Sequence, residues 1–197
     1  LTPVDLGEAI AMDESGIQLI ISNGPTLFPL GSSTIIWTAI DNNGNSAFAT
    51  QQVDIVDTTS PTISLIPDIT AEAAVPYDNI VELQAPIADD IFDIISITND
   101  APEFFPIGET VVSWTATDTS GNSASVEQKI TIFDTTFPIL EIPEDIVIEA
   151  TSLDQNEVNL GEAIATDNGE IVSITNDSPE FFSLGETTVT WTAIDSS

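Results

Sequence analysis

The chain has 197 residues, of which 33 are acidic, one is basic and none is histidine, so its formal net charge is −32. This charge repels phosphate and anionic headgroups, which excludes nucleic acid and anionic membrane surfaces as partners, and direct membrane insertion is not expected because no apolar run approaches the roughly 18–20 residues of a spanning helix. Apolar residues make up 42% of the chain and can fill a core, whereas the lack of cysteine and histidine removes most nucleophile–base pairs and transition-metal ligands, so no catalysis is expected.

A repeat of about 77 residues runs through the whole chain. Trp37, Trp114 and Trp191 are separated by 77 and 77 residues, and residues 94–120 and 171–197 are identical at 19 of 27 positions. Only the second of the three predicted copies holds a complete set of strands, because the first lacks N-terminal strands and the third lacks its C-terminal strand. The predicted copies are residues 1–61, 62–138 and 139–197.

Apolar residues alternate within each copy, as they do in half-buried strands. Val112, Trp114 and Ala116 would share a core-facing side, and the turn chemistry of residues 118–122 predicts a hairpin. Such short strands in fewer than 80 residues predict an all-β fold of tandem Ig-like antiparallel β-sandwiches, with each tryptophan in a core. The strands predicted for the second copy lie near 62–66, 69–73, 80–88, 94–98, 111–117 and 123–133, with a further short one near 103–106.

Several motifs resemble those of the hyalin repeat (HYR) domain. They are Phe105-Pro106-Ile107-Gly108, Trp114-Thr115-Ala116-Thr117-Asp118, Ser120-Gly121-Asn122 and the linker Asp134-Thr135-Thr136-Phe137-Pro138. The chain therefore resembles tandem HYR domains of a prokaryotic extracellular or surface protein. The resemblance implies an Ig-like module used in adhesion, in surface architecture or as a spacer beside catalytic domains. Where many members pair two cysteines, this chain has Ile66 (Ile142 in the third copy) and Val126, so apolar packing replaces the cross-link.

Acidic residues are predicted to meet wherever one copy joins the next. Two loops of an Ig-like sandwich lie at the pole where the chain enters, beside the linker from the preceding copy. Like charges about 4 Å apart repel by about 4 kcal/mol at an effective dielectric near 20, so carboxylates gathered there would splay, protonate or bind a cation. We expect Ca²⁺ as the cofactor, because it accepts six to eight hard oxygen ligands whereas Mg²⁺ keeps more of its water. Adhesin repeats with similar linkers, which the motifs also resemble, often bind Ca²⁺.

The predicted ligands form one set at each junction between copies. Those of the first junction are Asp57, Thr58, Asp89, Asp90, Asp118 and Asn122, and those of the second junction are Asp134, Thr135, Asp167, Asn168 and Asp195. The corresponding residues of the first copy are Asp13, Asp41 and Asn45. Residues 41–45 resemble half of an EF-hand loop, but the twelfth position is Gln52 instead of glutamate, so a simple turn is the alternative.

The leading functional hypothesis is an extracellular structural or adhesive repeat protein, a calcium-stiffened stalk or filament segment on the cell surface. Its expected partners are other copies of itself or neighbouring repeats, together with a surface glycan or protein. The alternatives are a non-catalytic spacer or glycan-binding arm of a secreted hydrolase, and an acidic surface matrix that concentrates cations. Two explanations are open for the missing strands of the outer copies. Either the sequence is a window onto a longer array, or neighbouring subunits donate the missing strands.

Overall fold

The computed structural model describes residues 1–197 and contains thirteen β-strands and no α-helix. Within residues 1–61, the predicted first copy, the strands are β1 (Ile17–Ser22), β2 (Gly31–Asp41) and β3 (Ser46–Ile55). Those of the second copy are β4 (Thr62–Ile63), β5 (Ile69–Glu72), β6 (Ala88–Asp89), β7 (Ile94–Asn99), β8 (Gly108–Asp118) and β9 (Ser123–Phe133). The third copy contributes β10 (Ile139–Glu141), β11 (Ile164–Thr166), β12 (Ile171–Asn176) and β13 (Trp191–Asp195). No helix in this structure could cross a bilayer.

Residues 62–138, the predicted second copy, form two sheets around one core. One sheet pairs β4 with β6, and the other has the strand order β5-β9-β8-β7. Val112, Trp114 and Ala116 alternate inward along β8, and Ile130 and Ile132 cover them from β9. The core cluster also receives Ile63 from the opposite sheet. The predicted all-β, Ig-like sandwich is therefore confirmed.

Some strand predictions for the second copy were wrong in extent or direction. Of the strand predicted at 80–88, only the end forms β6, because Pro86 has no N–H to donate to a ladder. The strand predicted at 103–106 is reduced to a single bridge between Asn79 and Phe105, since prolines flank it at positions 102 and 106. Strand β5 pairs in parallel with β9, not in antiparallel fashion.

The outer copies show the same local geometry around their tryptophans. The pairings Ile17 with Asp41, Ile94 with Asp118 and Ile171 with Asp195 are each followed by a register shift at the same place. Trp114 is 4% exposed, whereas Trp37 and Trp191 are half-buried, so the predicted core position holds fully only for Trp114. Beside Trp191, on the side that β9 covers in the second copy, lies an open groove of about 590 Å³.

Asn79 ties the start of the second copy to its core through a buried side chain that is 4% exposed. Its Oδ1 accepts hydrogen bonds from the backbone N–H groups of Ala74 (2.7 Å) and Val75 (3.3 Å), and its Nδ2 donates to the carbonyls of Val75 (3.0 Å) and Phe105 (3.1 Å). Asn156 makes the equivalent contacts in the third copy.

We expect Asn79→Ala to lower the free energy of unfolding by about 2–4 kcal/mol, because it leaves several buried backbone groups unpaired. Urea denaturation followed by tryptophan fluorescence measures the loss. Asn99→Ala is the matched control: Asn99 is exposed and its Oδ1 accepts one hydrogen bond, from Ala101 N–H, so its loss should stay below about 1 kcal/mol. Equal losses for the two variants would contradict the structural role of Asn79.

Candidate metal centres

The first junction brings together one carboxylate from the linker, one from the loop after β6 and one from the end of β8. Oxygen atoms of Asp57, Asp90 and Asp118 all lie within 4.8 Å of one another. Asp57 follows β3, Asp90 follows β6, and Asp118 ends β8, so three separate elements bring these carboxylates to one place. Asp118 is 1% exposed. A group of three anionic oxygens at this spacing is a set of hard donors that suits Ca²⁺.

Asn122 closes the first junction with hydrogen bonds. Its side-chain Nδ2 donates to Asp118 Oδ2 (2.9 Å), to Asp57 Oδ2 (3.4 Å) and to the Asp57 carbonyl (3.3 Å). The backbone N–H groups of Ser120 and Asn122 both donate to Asp118 Oδ1 at 2.8 Å. Asp90 Oδ1 accepts from the Phe92 N–H at 3.0 Å. Several oxygens of this cluster therefore already have protein donors.

The second junction repeats the three-carboxylate arrangement. Oxygens of Asp134, Asp167 and Asp195 also lie within 4.8 Å of one another. The Thr136 hydroxyl lies 2.6 Å from Asp134 Oδ1 and 2.8 Å from Asp167 Oδ1, so its single proton is shared between these two carboxylates. Asp195 Oδ1 accepts from the N–H and hydroxyl of Ser197. The threonine of the linker thus lies within hydrogen-bond distance of two carboxylates.

Two oxygens of the second junction are buried without any donor. They are Asp134 Oδ2 and Asp167 Oδ2, and Asp134 as a whole is only 8% exposed. Burying a carboxylate oxygen without a hydrogen bond costs free energy, because no protein donor replaces its hydrogen bonds to water. A cation between these oxygens would remove that cost, so the residues fit a divalent metal ion.

Gly169 permits the close approach of Asp134. A Cβ at position 169 would lie 2.3 Å from Asp134 Oδ2, which is too close without a shift of the carboxylate, whereas its 3.4 Å distance from Asp134 Cγ is an ordinary contact. Glycine is therefore the residue that leaves room for this carboxylate in its observed position. The corresponding segment of the first junction is Ile91-Phe92, where the second junction has Asn168-Gly169.

Hydrogen bonds hold several of these carboxylates in the ionised form. The Thr59 hydroxyl is the main cause of the lowered pKa of Asp57, and the Asn45 side chain is the main cause of the lowered pKa of Asp41. Burial acts to raise the pKa of Asp167, but donors from Thr136 and from the backbone outweigh it, and the pKa is lowered. Ionised carboxylates are the form that binds a cation.

Other predicted ligands lie outside the two clusters. Asp89 and Thr58 are exposed, and the Thr135 N–H and hydroxyl bond the Glu72 carboxylate instead of facing the second cluster. The side chain of Asn168 makes no hydrogen bond, although its backbone N–H donates to Asp167 Oδ1.

In the first copy, Asp13 is exposed and accepts from Ser15, while Asn45 Nδ2 donates to Asp41 Oδ2 at 2.8 Å. These residues do not form a cluster of three carboxylates like those at the junctions.

Sequence reasoning missed three residues that shape the clusters: Thr59, Thr136 and Gly169. The signal for the threonines was present, because Asp57-Thr58-Thr59 and Asp134-Thr135-Thr136 share the same spacing. A hydroxyl two residues after an aspartate can bond that carboxylate, and both second threonines do so. Gly169 gave no comparable signal, since its role depends on a carboxylate 35 residues earlier in the chain.

Part of the chain is similar to a known domain family, and nearly all of it is similar to two hyalins. Residues 56–132 match the HYR domain family. It is similar to hyalin of Strongylocentrotus purpuratus, with 35% identity over 96% of this chain and 17% of that protein, and to hyalin of Lytechinus variegatus, with 34% identity over 98% of this chain and 40% of that protein. The chain therefore spans less than half the length of either hyalin.

Among solved structures, the chain is similar to the extracellular cadherin domains 1–4 of protocadherin gamma B7. The TM-score is 0.35 and the identity is 12%, over 94% of this chain and 57% of that one. The predicted extracellular, cell-surface location is confirmed.

Proposed function

We propose that this chain is a calcium-stiffened structural or adhesive segment of an extracellular protein, in which Ca²⁺ joins consecutive copies of the repeat. The observation that carries the proposal is the convergence of three carboxylates at each junction, with oxygens within 4.8 Å of one another: Asp57, Asp90 and Asp118 at the first, and Asp134, Asp167 and Asp195 at the second. The division into three tandem copies belongs to the same proposal, and equal spacing of the two carboxylate clusters along the chain supports it.

The charge balance of the chain favours a metal ion over a protein cation at these clusters. The single lysine, Lys129, bonds Glu109 at 2.9 Å on the outer surface of the second copy. No arginine or histidine exists in the chain to neutralise the junction carboxylates. The neutralising charge must therefore come from a bound cation. Ca²⁺ suits a set of carboxylate, amide and carbonyl oxygens better than Mg²⁺, because it accepts more oxygen ligands in a more flexible geometry.

A cation would stiffen each junction because its carboxylate ligands come from both the linker and the following copy. Asp57 and Asp134 belong to linkers, whereas their partners belong to a loop and a strand end of the following copy. A cation that binds all three carboxylates fixes the direction in which one copy leaves the other. Without it, three negative charges held within 4.8 Å repel and loosen the junction. A row of such junctions would make a stalk or a filament segment.

Small-angle scattering with and without Ca²⁺ tests the stiffening. We expect the full chain in millimolar Ca²⁺ to give a longer, narrower distance distribution than the same chain in EGTA. The variant Asp90→Asn with Asp167→Asn, which alters one carboxylate at each junction, should give the EGTA-like curve under both conditions. Superimposable curves for the unaltered chain would contradict the proposed function.

The remaining parts of the proposal concern source and partners. The partners we propose are neighbouring repeats or further copies of the chain, with a surface glycan or protein as adhesion target, and the role is non-catalytic. A prokaryotic source is supported by the apolar residues Ile66 and Val126, which pack at the core without a cysteine pair. The hyalins that match come from Strongylocentrotus purpuratus and Lytechinus variegatus.

A second candidate function is favoured by the net charge of −32. So many carboxylates over the whole surface could concentrate cations diffusely, as an acidic matrix does. Equilibrium dialysis with Ca²⁺ separates the two functions. Two strong sites that persist at 0.5 M NaCl support the junction proposal, whereas many weak sites that disappear in salt support the matrix.

A further inference from the structure

We propose that the second copy carries an interaction surface for the copy that follows it, formed by Glu72 and Tyr77, and that this surface restrains the direction of the third copy without a metal ion. Both residues lie outside the two carboxylate clusters. The inference goes beyond the proposed function, because the contacts on which it rests are made by protein groups alone.

The strand order brings both residues to the end of the second copy from which the linker leaves. Strand β5 runs parallel to β9, and Glu72 at the end of β5 pairs with Phe133, the last residue of β9. The Ala73 N–H donates to the Phe133 carbonyl at 2.7 Å, so the loop after β5 starts beside the linker. The buried Asn79 side chain bonds the backbone of this loop, which carries Tyr77.

Two consecutive threonines of the linker contact opposite copies. In the second copy, the Glu72 carboxylate accepts a hydrogen bond from the Thr135 N–H at 2.7 Å, and its Oε2 lies 3.2 Å from the Thr135 hydroxyl. In the third copy, Asp167 Oδ1 lies 2.8 Å from the Thr136 hydroxyl. Hydrogen bonds to carboxylates are stronger than those between neutral groups. The linker is therefore held on both sides, which limits the directions in which the third copy can leave the second.

A further contact crosses the junction directly. The Tyr77 side chain faces Glu170, which lies in the loop between β11 and β12 of the third copy. The charge of Glu170 is the main cause of the raised pKa of Tyr77, and burial and a side-chain hydrogen bond to the same carboxylate add to it. Gly169, next to Glu170, lies against Asp134 of the linker, so this loop is packed beside the surface.

The surface fits a following copy whose loop presents a long carboxylate side chain. Position 170 is glutamate in the third copy, whereas the corresponding position in the second copy is Asp93, which is one methylene shorter. Because the hydroxyl of Tyr77 is fixed by its ring, the carboxylate has to reach it. The length of this side chain therefore distinguishes the third copy from the second as a partner for the surface.

Double electron–electron resonance between two spin labels, recorded on the full chain in EGTA, tests the surface. The chain has no cysteine, so Glu127→Cys in the second copy and Thr175→Cys in the third, both exposed, give two unique labelling sites. We expect one main distance peak for the otherwise unaltered chain. Glu72→Ala should lose this peak to a broad distribution, because the linker is then released from the second copy.

Two smaller changes and one control accompany Glu72→Ala. Tyr77→Phe, which keeps the ring and removes the hydroxyl, and Glu170→Asp, which shortens the acceptor, should each broaden the peak. Glu82→Ala, which removes an exposed glutamate of the same copy outside the surface, should leave it unchanged. Identical distributions for the unaltered chain, Glu72→Ala and Tyr77→Phe would overturn the inference.

Addition of CaCl₂ to the same samples separates this inference from the proposed function. The peak of the unaltered chain should narrow, because the cation then joins the copies as well. A peak that does not narrow would contradict the proposed function, whereas broadening by Glu72→Ala in EGTA would still support the interaction surface. A peak that narrows in CaCl₂ but is insensitive to Glu72→Ala in EGTA would overturn the surface and leave the proposed function intact.

Discussion

Chelation of calcium by EGTA is expected to lower the melting temperature of the full chain by about 5–10 °C. A ligand that binds only the folded form contributes about 2.7 kcal/mol when its concentration is a hundred times its dissociation constant. In a chain of this length each kcal/mol shifts the melting temperature by about 2–4 °C. Differential scanning calorimetry in 2 mM CaCl₂ and then in excess EGTA measures the difference.

Two controls separate junction binding from a general effect of ionic conditions. The variant that combines Asp90→Asn with Asp167→Asn should melt at the same temperature in CaCl₂ and in EGTA, since each junction has lost one carboxylate. Replacing CaCl₂ by NaCl of equal ionic strength should not restore the melting temperature of the unaltered chain. An unaltered chain that melts identically with and without Ca²⁺ contradicts the thermal stabilisation expected here.

Phe105→Ala is expected to destabilise the second copy by about 3–5 kcal/mol, the usual loss for a buried phenylalanine. Phe105 is 2% exposed and packs in the cluster with Val112, Trp114 and Ile132. Its backbone hydrogen bonds with Asn79 remain in the variant, so the measured loss reports the cavity and the lost packing. Urea denaturation in a Trp37→Phe and Trp191→Phe background lets Trp114 report the second copy alone.

The neighbouring residue is the matched control. Phe104 has the same side chain on the same segment but is 40% exposed, so Phe104→Ala should cost less than about 1.5 kcal/mol. A difference of at least about 2 kcal/mol between the two variants is therefore expected. Similar losses from both would mean that the alternation of this segment does not place Phe105 in the core.

The long strands could be predicted from the sequence because apolar and polar residues alternate regularly along them. In β8 each second residue from Val112 to Asp118 is buried, as the apolar pattern indicates. The short strands left a weaker record. Apolar residues also alternate within residues 80–87, but Pro86 has no backbone N–H to donate to a neighbouring strand. The parallel direction of β5 depends on a crossover between sheets, which no local sequence pattern encodes.

The candidate sites were predictable in their carboxylates and not in their finer geometry. Three aspartate positions recur every 77 residues, one in the linker and two beside the loops of the sandwich. These three carboxylates meet once the sandwich forms. Which threonine of the linker faces the cluster is a matter of backbone direction, and Thr136 does so while Thr135 bonds Glu72. The space that Gly169 leaves for Asp134 is a tertiary effect.

A crystal structure of the full chain grown in CaCl₂, with anomalous difference maps recorded at a long wavelength, tests the central claim most directly. We predict one strong peak among Asp134, Asp167 and Asp195 and a second among Asp57, Asp90 and Asp118, each within bonding distance of oxygens from both sides of a junction. Maps without peaks at either cluster, with the six carboxylates turned apart toward water, would contradict the account.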